Sequence, residues 1–476
     1  MHDVDLRTPA GGTATLSAAE LAGLAGELGG QVALPGQPVY QDACTLWNAA
    51  VEPRPALVVR CAGTADVVRT LRLARRRGLR VSVRSGGHNI AGGALCDGGL
   101  VIDLSGLRGV RVDPAARTVR AQAGARWMDV DRETQLFGLA VPAGIVSTTG
   151  IAGLTLGGGF GWLTRRHGLT CDHLLSADVA TLDGEVVVAG PGGDEELLWA
   201  LRGGGGNFGV VTSFEYRAQP VGPQVYGGLR LFPAERTPEV ARFFRRFAAE
   251  APPELGMLML LRFAPQAPWI PPALHGRPVA GLGFCWAGPV EEGRQVLEPL
   301  AELGEPAADN LGPRPYTAVQ GMLDATQPPG RRYYWKSEYV AELSDGLLAE
   351  LPAWGGGLSS PLSAVLVMRL GGAATEPPPG GAAARNREAE FIVNLATSWT
   401  DAAETERHVD WTRRAWQRLL PFSTGGTYVN FLTEDDPAER LRDAFGDSYD
   451  RLLELKRRYD PDGLLHTRPE LPAVRA

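Results

Sequence analysis

The stretch Arg84-Ser85-Gly86-Gly87-His88-Asn89-Ile90-Ala91-Gly92-Gly93 is the most informative part of this chain of 476 residues. It follows the apolar segment 81–83, which predicts a strand that runs into a glycine-rich loop. Glycine lets backbone N–H groups approach a bulky ligand closely, and successive N–H groups in such turns form binding sites for anions. Two more glycine clusters follow at 157–159 and 203–209. Together they predict a large phosphorylated cofactor held by loops.

Residues 204–209 also match the dinucleotide fingerprint G-x-G-x-x-G. That fingerprint normally follows a strand, opens a helix and meets an acidic residue about 20 positions later. Here it continues into 210–216, whose β-branched and aromatic residues alternate and therefore predict a strand. No acidic residue lies near position 229. The sequence therefore does not support a Rossmann fold.

The composition excludes several classes of partner. A net charge of −7 leaves no basic face for nucleic acid and no polybasic membrane anchor, and no run of 18 apolar residues could span a membrane. The five cysteines are scattered without a C-x-x-C pair, which predicts reduced thiols and no metal site. Residues 1–16 lack the features of a secretion signal. We therefore expect a cytoplasmic protein, either a monomer or a homodimer.

Hydrophobic periodicity predicts the main elements. Strands are expected at 57–61, 81–84, 100–104, 110–112, 118–121 and 427–431, and helices at 64–77, 404–420, 437–445 and 448–459. The pattern of predicted elements changes near Val221, after which the predicted helices and strands become longer. No internal repeat is visible.

Several segments, taken in order, resemble one known family. They are Ser85-Gly86-Gly87-His88, Pro142-Ala143-Gly144, Thr149-Gly150-Ile151-Ala152-Gly153-Leu154, Leu156-Gly157-Gly158-Gly159-Phe160-Gly161-Trp162, Phe208-Gly209-Val210-Val211-Thr212 and Tyr428-Val429-Asn430-Phe431. The chain is similar, from about residue 38 to residue 464, to the berberine bridge enzyme-like flavoprotein oxidases of the vanillyl-alcohol oxidase/p-cresol methylhydroxylase superfamily. Gly-Gly-His alone is a weak signal, whereas this series of segments is highly specific.

The resemblance implies an α+β fold with a vanillyl-alcohol-oxidase-type FAD-binding domain in two parts. Residues 1–220 would form its N-terminal part and residues 421–476 its C-terminal part. Residues 221–420 would form an inserted substrate-binding domain, with an antiparallel sheet backed by helices. That sheet would cover the flavin and form the ceiling of the active site.

The same resemblance implies how FAD is bound. In the family, the histidine that matches His88 is bonded through a ring nitrogen to the flavin. Many members add a link through a cysteine just after Pro-Ala-Gly, where this chain has Val146, so a single covalent link is expected. The other residues expected at the cofactor are Arg84, Ser85, Gly86, Gly87, Asn89, Gly92, Pro142, Ala143, Gly144, Ser147, Thr148, Thr149, Gly150, Gly153, Leu156, Gly157, Gly158, Gly161, Trp162, Gly209, Val210, Tyr428 and Asn430.

The expected activity is that of an FAD-dependent oxidase. Tyr428 would take a proton from the substrate, and Thr149, a small residue, would leave room for O2 near the flavin. Two alternatives remain, a flavin-N5-oxide-type oxygenase acting on a polyketide and a redox-neutral flavin-bearing cyclase. The substrate is expected to be a small natural product, an alcohol or an amine, of bacterial secondary metabolism such as antibiotic biosynthesis. Arg369, Asn394, Trp399 and Tyr333-Tyr334-Trp335 are further candidates to line the pocket.

Overall fold

The computed structural model describes residues 2–473. Among them the strands are β1 Val4–Arg7, β2 Thr13–Leu16, β3 Gln31–Ala33, β4 Leu57–Arg60, β5 Val81–Arg84, β6 Leu100–Asp103, β7 Val110–Asp113, β8 Thr118–Gln122, β9 Leu139–Ala140, β10 Leu174–Ala180, β11 Val186–Ala189, β12 Val210–Arg217, β13 Gln219–Pro220, β14 Gln224–Pro233, β15 Leu255–Phe263, β16 Pro278–Trp286, β17 Ala308–Asp309, β18 Gly312–Pro315, β19 Arg332–Val340, β20 Ala364–Arg369, β21 Phe391–Trp399 and β22 Leu465–His466.

The α-helices are α1 Ala18–Glu27, α2 Pro38–Cys44, α3 Thr64–Arg77, α4 Trp127–Thr134, α5 Ile151–Leu156, α6 Thr164–His167, α7 Glu195–Leu201, α8 Thr237–Glu250, α9 Val290–Val296, α10 Tyr316–Gln320, α11 Asp345–Gly356, α12 Thr405–Leu419, α13 Ala438–Phe445 and α14 Tyr449–Tyr459. The four helices predicted from periodicity are therefore present, and their ends agree to within a residue or two.

The first five-stranded sheet joins the two ends of the chain. Its order is β22-β5-β6-β4-β3, with β22, β5, β6 and β4 parallel and β3 antiparallel at the edge. Strand β22 pairs with β5, which places the tail of the chain next to the strand that carries the first glycine loop. A second five-stranded sheet, β11-β10-β12-β8-β7, is wholly antiparallel.

The largest sheet has eight antiparallel strands in the order β17-β14-β16-β15-β20-β21-β19, with β18 also paired to β14. Successive side chains along each strand point to opposite faces of the sheet, because a β-strand has a period of two residues. Met257, Met259 and Leu261 of β15 pack with Phe244 of α8 and Leu347 of α11 in one apolar core. The intervening residues of β15, such as Leu258 and Leu260, face the other way. We call this second face, which carries none of the three long helices α8, α11 and α12, the uncovered face; α10 and residues 162–163 pack on part of it.

The predicted α+β class with an antiparallel sheet backed by helices is confirmed. The division at residues 220 and 420 stays a prediction about domain boundaries. One predicted strand is wrong: in place of a strand at 427–431, the structure has a single 3₁₀ turn at Val429–Phe431. Among residues 2–473, no helix is both long enough and apolar enough to cross a membrane.

Candidate active site

A large cavity lies between the glycine loops and the uncovered face of the eight-stranded sheet. It encloses about 2020 Å³ when its open mouth is included. Many of the residues expected at the cofactor line it together, although they come from distant parts of the chain. These are Ser85, Gly86, Gly87, His88, Asn89, Gly144, Thr149, Gly150, Gly153, Leu156, Gly157, Gly209, Val210, Tyr428 and Asn430.

The other expected cofactor residues lie outside this lining. Arg84 directs its guanidinium to the buried carboxylate of Asp103, 3.3 Å away, and Ser147 donates to Asp324. Trp162 is 1% exposed and belongs to the apolar core. These residues support the loops from behind. The full set outside the lining is Arg84, Gly92, Pro142, Ala143, Ser147, Thr148, Gly158, Gly161 and Trp162.

The loop after β5 presents a row of free backbone donors. The N–H groups of Gly86, Gly87, His88 and Asn89 donate to no acceptor within residues 2–473. Unpaired N–H groups are costly unless a ligand or water accepts from them. Because all four residues line the cavity, this row fits a ligand that carries an anionic, oxygen-rich group, as the pyrophosphate of FAD does. The residues present therefore fit the cofactor that the family resemblance implies.

His88 lies in this row, and its ring is held from two sides. Its Nε2 lies 3.2 Å from the Thr148 hydroxyl, and the ring stacks on Trp47 with centroids 4.7 Å apart. Its Nδ1 has no hydrogen-bond partner within residues 2–473. Burial, with a smaller contribution from Arg126, lowers the pKa of His88 to about 3. The imidazole is therefore neutral at pH 7 and has a free nitrogen.

Tyr428 also lines the cavity. Its oxygen accepts hydrogen bonds from the Gly159 backbone N–H at 3.1 Å and from the Asn430 amide at 2.9 Å. Its ring meets Phe160 and Phe431 edge-on, with centroids 4.8 and 4.9 Å apart. Burial raises the pKa of Tyr428 above that of an ordinary tyrosine, although both hydrogen bonds act in the opposite direction. The phenol therefore holds its proton in the resting protein.

The uncovered face of the eight-stranded sheet forms the opposite wall. The pairing register places Leu260, Leu366 and Asn394 side by side across β15, β20 and β21, and all three line the cavity. The row next to it contains Arg262 and Ala364. This wall is thus apolar, apart from Arg262 and Asn394.

Two of the further candidate lining residues, Asn394 and Trp335, do line the cavity. Arg369 instead pairs with Glu390 on the face of the sheet that points away from the cavity, and Trp399 stacks on His408. Tyr333 stacks on Trp47, and Tyr334 bonds Asp435. Gly205 and Gly206 of the third glycine cluster also line the cavity. Sequence reasoning missed other lining residues, among them Trp47, Arg262, Gln327, His466, Thr467 and Arg468.

These features together define a flavoprotein of the vanillyl-alcohol oxidase type, and comparisons with known proteins agree. Residues 55–190 match the model of an FAD binding domain, and residues 427–471 match the model described as berberine and berberine like. An FAD-linked oxidoreductase of Dictyostelium discoideum is 30% identical over 426 residues, which are 88% of this chain and 89% of that protein.

A second relative, the (R)-6-hydroxynicotine oxidase of Paenarthrobacter nicotinovorans, is 29% identical over 451 residues, covering 91% of this chain and 94% of its own. The crystal structure of 6-hydroxy-D-nicotine oxidase from Arthrobacter nicotinovorans superposes with a TM-score of 0.82 at 26% identity, covering 94% and 98% of the two chains. The chain belongs to the berberine bridge enzyme-like FAD-linked oxidoreductases, and it is an FAD-dependent enzyme.

Proposed function

We propose that this protein is an oxidase whose FAD is attached through His88 alone, and that it oxidises an alcohol or a C–N bond of a small natural product with O2 as the final acceptor. The observation that carries this proposal is the row of free N–H groups at residues 86–89, which contains a neutral histidine and opens into the cavity. When bound, FAD supplies a two-electron acceptor that takes a hydride from the substrate and is reoxidised by O2 to give H2O2.

In this proposal each part of the cavity has its own role. The N–H groups of residues 86–89 bind the pyrophosphate, and Nδ1 of His88 forms the covalent bond. Thr149 lines the cavity with a small side chain, which leaves room for O2. Val146 also lines it but has no thiol, while Cys171 is fully buried outside this lining, with a pKa that burial raises well above the usual range. No second link is therefore expected.

We further propose Tyr428 as the group that takes the proton from the substrate hydroxyl or amine. No aspartate or glutamate lines the cavity among residues 2–473, so no carboxylate is positioned to act as the base. The Gly159 N–H and the Asn430 amide both point at the Tyr428 oxygen and would stabilise a phenolate. Burial opposes the phenolate, which predicts a base that acts better as the pH rises.

The proposal is tested by measuring the mass of the denatured protein. The wild-type chain should gain the mass of one FAD, and His88→Ala should lose this gain while keeping some FAD bound by the loops. His275→Ala is the matched control, because His275 bonds the Ile270 carbonyl outside the cavity, and it should retain the adduct. An unmodified wild-type chain contradicts the covalent link. A flavin peptide that includes residue 146 or Cys171 contradicts the single link.

A further inference from the structure

Arg262 is a buried cation without an acidic partner. It is 8% exposed, and its Nε donates to the Phe263 carbonyl at 3.2 Å. Its two terminal nitrogens bond no residue within 2–473, and the charged group that acts on its pKa is another cation, Arg331. Burial, with a smaller contribution from Arg331, lowers the pKa of Arg262 to about 10. The side chain is therefore still charged at neutral pH.

A buried charge is costly unless it is paired. The surroundings offer Arg262 only neutral groups and a second cation, Arg331. Two buried amides that also line the cavity, Gln327 and Asn394, each carry a side-chain oxygen without a hydrogen-bond partner. No aspartate or glutamate lines the cavity among the described residues. The guanidinium of Arg262 therefore offers its two terminal nitrogens to a molecule that enters the cavity.

The location of Arg262 separates this partner from the cofactor's pyrophosphate. Arg262 lies on β15, on the face of the eight-stranded sheet that forms the wall opposite the glycine loops. The free N–H groups already offered to an anionic cofactor lie on the loop after β5. Around Arg262 the wall is apolar, with Leu260 and Leu366 beside it. The wall thus combines one positive charge with a hydrophobic surface.

We propose that Arg262 binds a carboxylate of the substrate, so that the enzyme acts on small, largely apolar acids. This inference rests on the proposed function and narrows its substrate class. Guanidinium groups bind carboxylates through two parallel hydrogen bonds, and both terminal nitrogens of Arg262 are available for them. The same charge repels a protonated amine, so a cationic substrate is disfavoured in this cavity.

The test compares three probes that share one ring, namely benzoate, benzyl alcohol and benzylamine. Their binding to the flavin-loaded enzyme is measured by titration calorimetry at pH 7.5. We expect benzoate to bind the wild type at least about tenfold more tightly than benzyl alcohol, and benzylamine to bind most weakly. Arg262→Gln should weaken benzoate binding by about 10- to 100-fold, the range for a lost hydrogen bond to a charged group, and should leave benzyl alcohol nearly unchanged.

Two further variants complete the test. Arg262→Lys keeps the charge but lacks the planar guanidinium group. Its affinity for benzoate should lie between those of the wild type and Arg262→Gln. Arg230→Gln removes a partly exposed arginine of the same sheet that pairs with Asp309 outside the cavity, and it should bind all three probes as the wild type does.

The outcomes separate the two proposals. Equal binding of benzoate and benzyl alcohol by the wild type overturns the role of Arg262, and so does an equal loss for all three probes in Arg262→Gln. A loss of FAD from Arg262→Gln assigns the arginine to the cofactor instead and also overturns it. A wild-type protein that carries no flavin contradicts the proposed function itself, which is read from the absorbance spectrum before any titration.

Discussion

The oxygen of Tyr428 receives two N–H donors and is surrounded by aromatic rings. The donors favour a phenolate, while burial raises the pKa of Tyr428. A base must be deprotonated to act, so below that raised pKa its active fraction grows about tenfold with each pH unit. We expect the rate of flavin reduction under anaerobic conditions to rise steeply between pH 6 and pH 9. Stopped-flow absorbance at a saturating substrate concentration measures it.

Tyr428→Phe should slow that reduction by at least about 100-fold, the lower end of the range for a lost general base, and should flatten the pH profile. FAD content should not change, because the ring volume is kept. Tyr334→Phe is the matched control, since the hydroxyl of Tyr334 bonds Asp435 outside the cavity. A slowing of only a few-fold, or a pH profile that persists in Tyr428→Phe, would assign Tyr428 to packing.

The sequence was informative about single residues only where a motif marks them. His88, Tyr428 and the glycines were found because they occur in segments with a recognisable order. Arg262 and Trp47 carry no such mark, because an arginine in an apolar strand and an isolated tryptophan predict only burial. Their place in the cavity depends on the register of β15 and on the stacking of Trp47 against His88, and neither follows from local sequence.

At the level of elements, amphipathic helices were predictable and the 427–431 segment was not. Helix α3 and helix α12 each bury one face along their length, and the helical period of that face is visible in the sequence. Residues 427–431 alternate as a strand would, yet Tyr428 and Asn430 bond each other and the 154–159 region in place of a neighbouring strand. The tertiary contacts of two polar side chains thus override a local β pattern.

Two loops at the site meet at a pair of glycines. A Cβ on Gly86 would lie 2.6 Å from the Cα and the N of Gly150, too close for any side chain. Gly86→Ala should therefore push the loop after β5 away from the 149–150 turn and displace the free N–H groups of residues 86–89. We expect FAD incorporation to fall by at least about tenfold, since a shift of about 1 Å in a positioned site is costly.

The flavin-to-protein absorbance ratio of the purified variant measures this loss. Gly23→Ala is the control, because Gly23 lies in α1 with no heavy atom within 4 Å of an added Cβ. There the change should slightly stabilise the helix, by about 0.5–1 kcal/mol, and leave FAD content unchanged. Full flavin occupancy in Gly86→Ala would show that the loops have room to separate.

In the whole molecule, contacts between distant segments build the site. The tail strand β22 pairs with β5, while the Asp324 carboxylate accepts from Ser147 beside the glycine loops. Helix α10 packs on α4. We call the contact between these two helices, together with the neighbouring Ser147–Asp324 hydrogen bonds, the seam. The division of the chain at residues 220 and 420 stays a prediction of the family resemblance, and no periodicity in the sequence could have located these contacts.

Asp131 of α4 lies at the seam, 1% exposed, with both carboxylate oxygens unpartnered. Burial, with a smaller contribution from Asp324, raises the pKa of Asp131 well above its usual value of 3.8. The folded chain therefore keeps a proton that the unfolded chain loses above pH 3.8. The stability that Asp131 contributes is complete below that pH and is lost as the pH rises through the raised folded pKa, at up to about 1.4 kcal/mol per pH unit.

Asp131→Asn cannot ionise, so this loss should disappear in the variant. We expect the difference in Tm, variant minus wild type, to grow by several degrees between pH 5 and pH 8, whatever its value at pH 5. Calorimetric scans at one scan rate measure it. Asp443→Asn changes an exposed aspartate of α13 and should give a difference that is constant with pH. A constant difference for Asp131→Asn as well would mean that Asp131 ionises freely in the folded protein, with water or a cation reaching the seam.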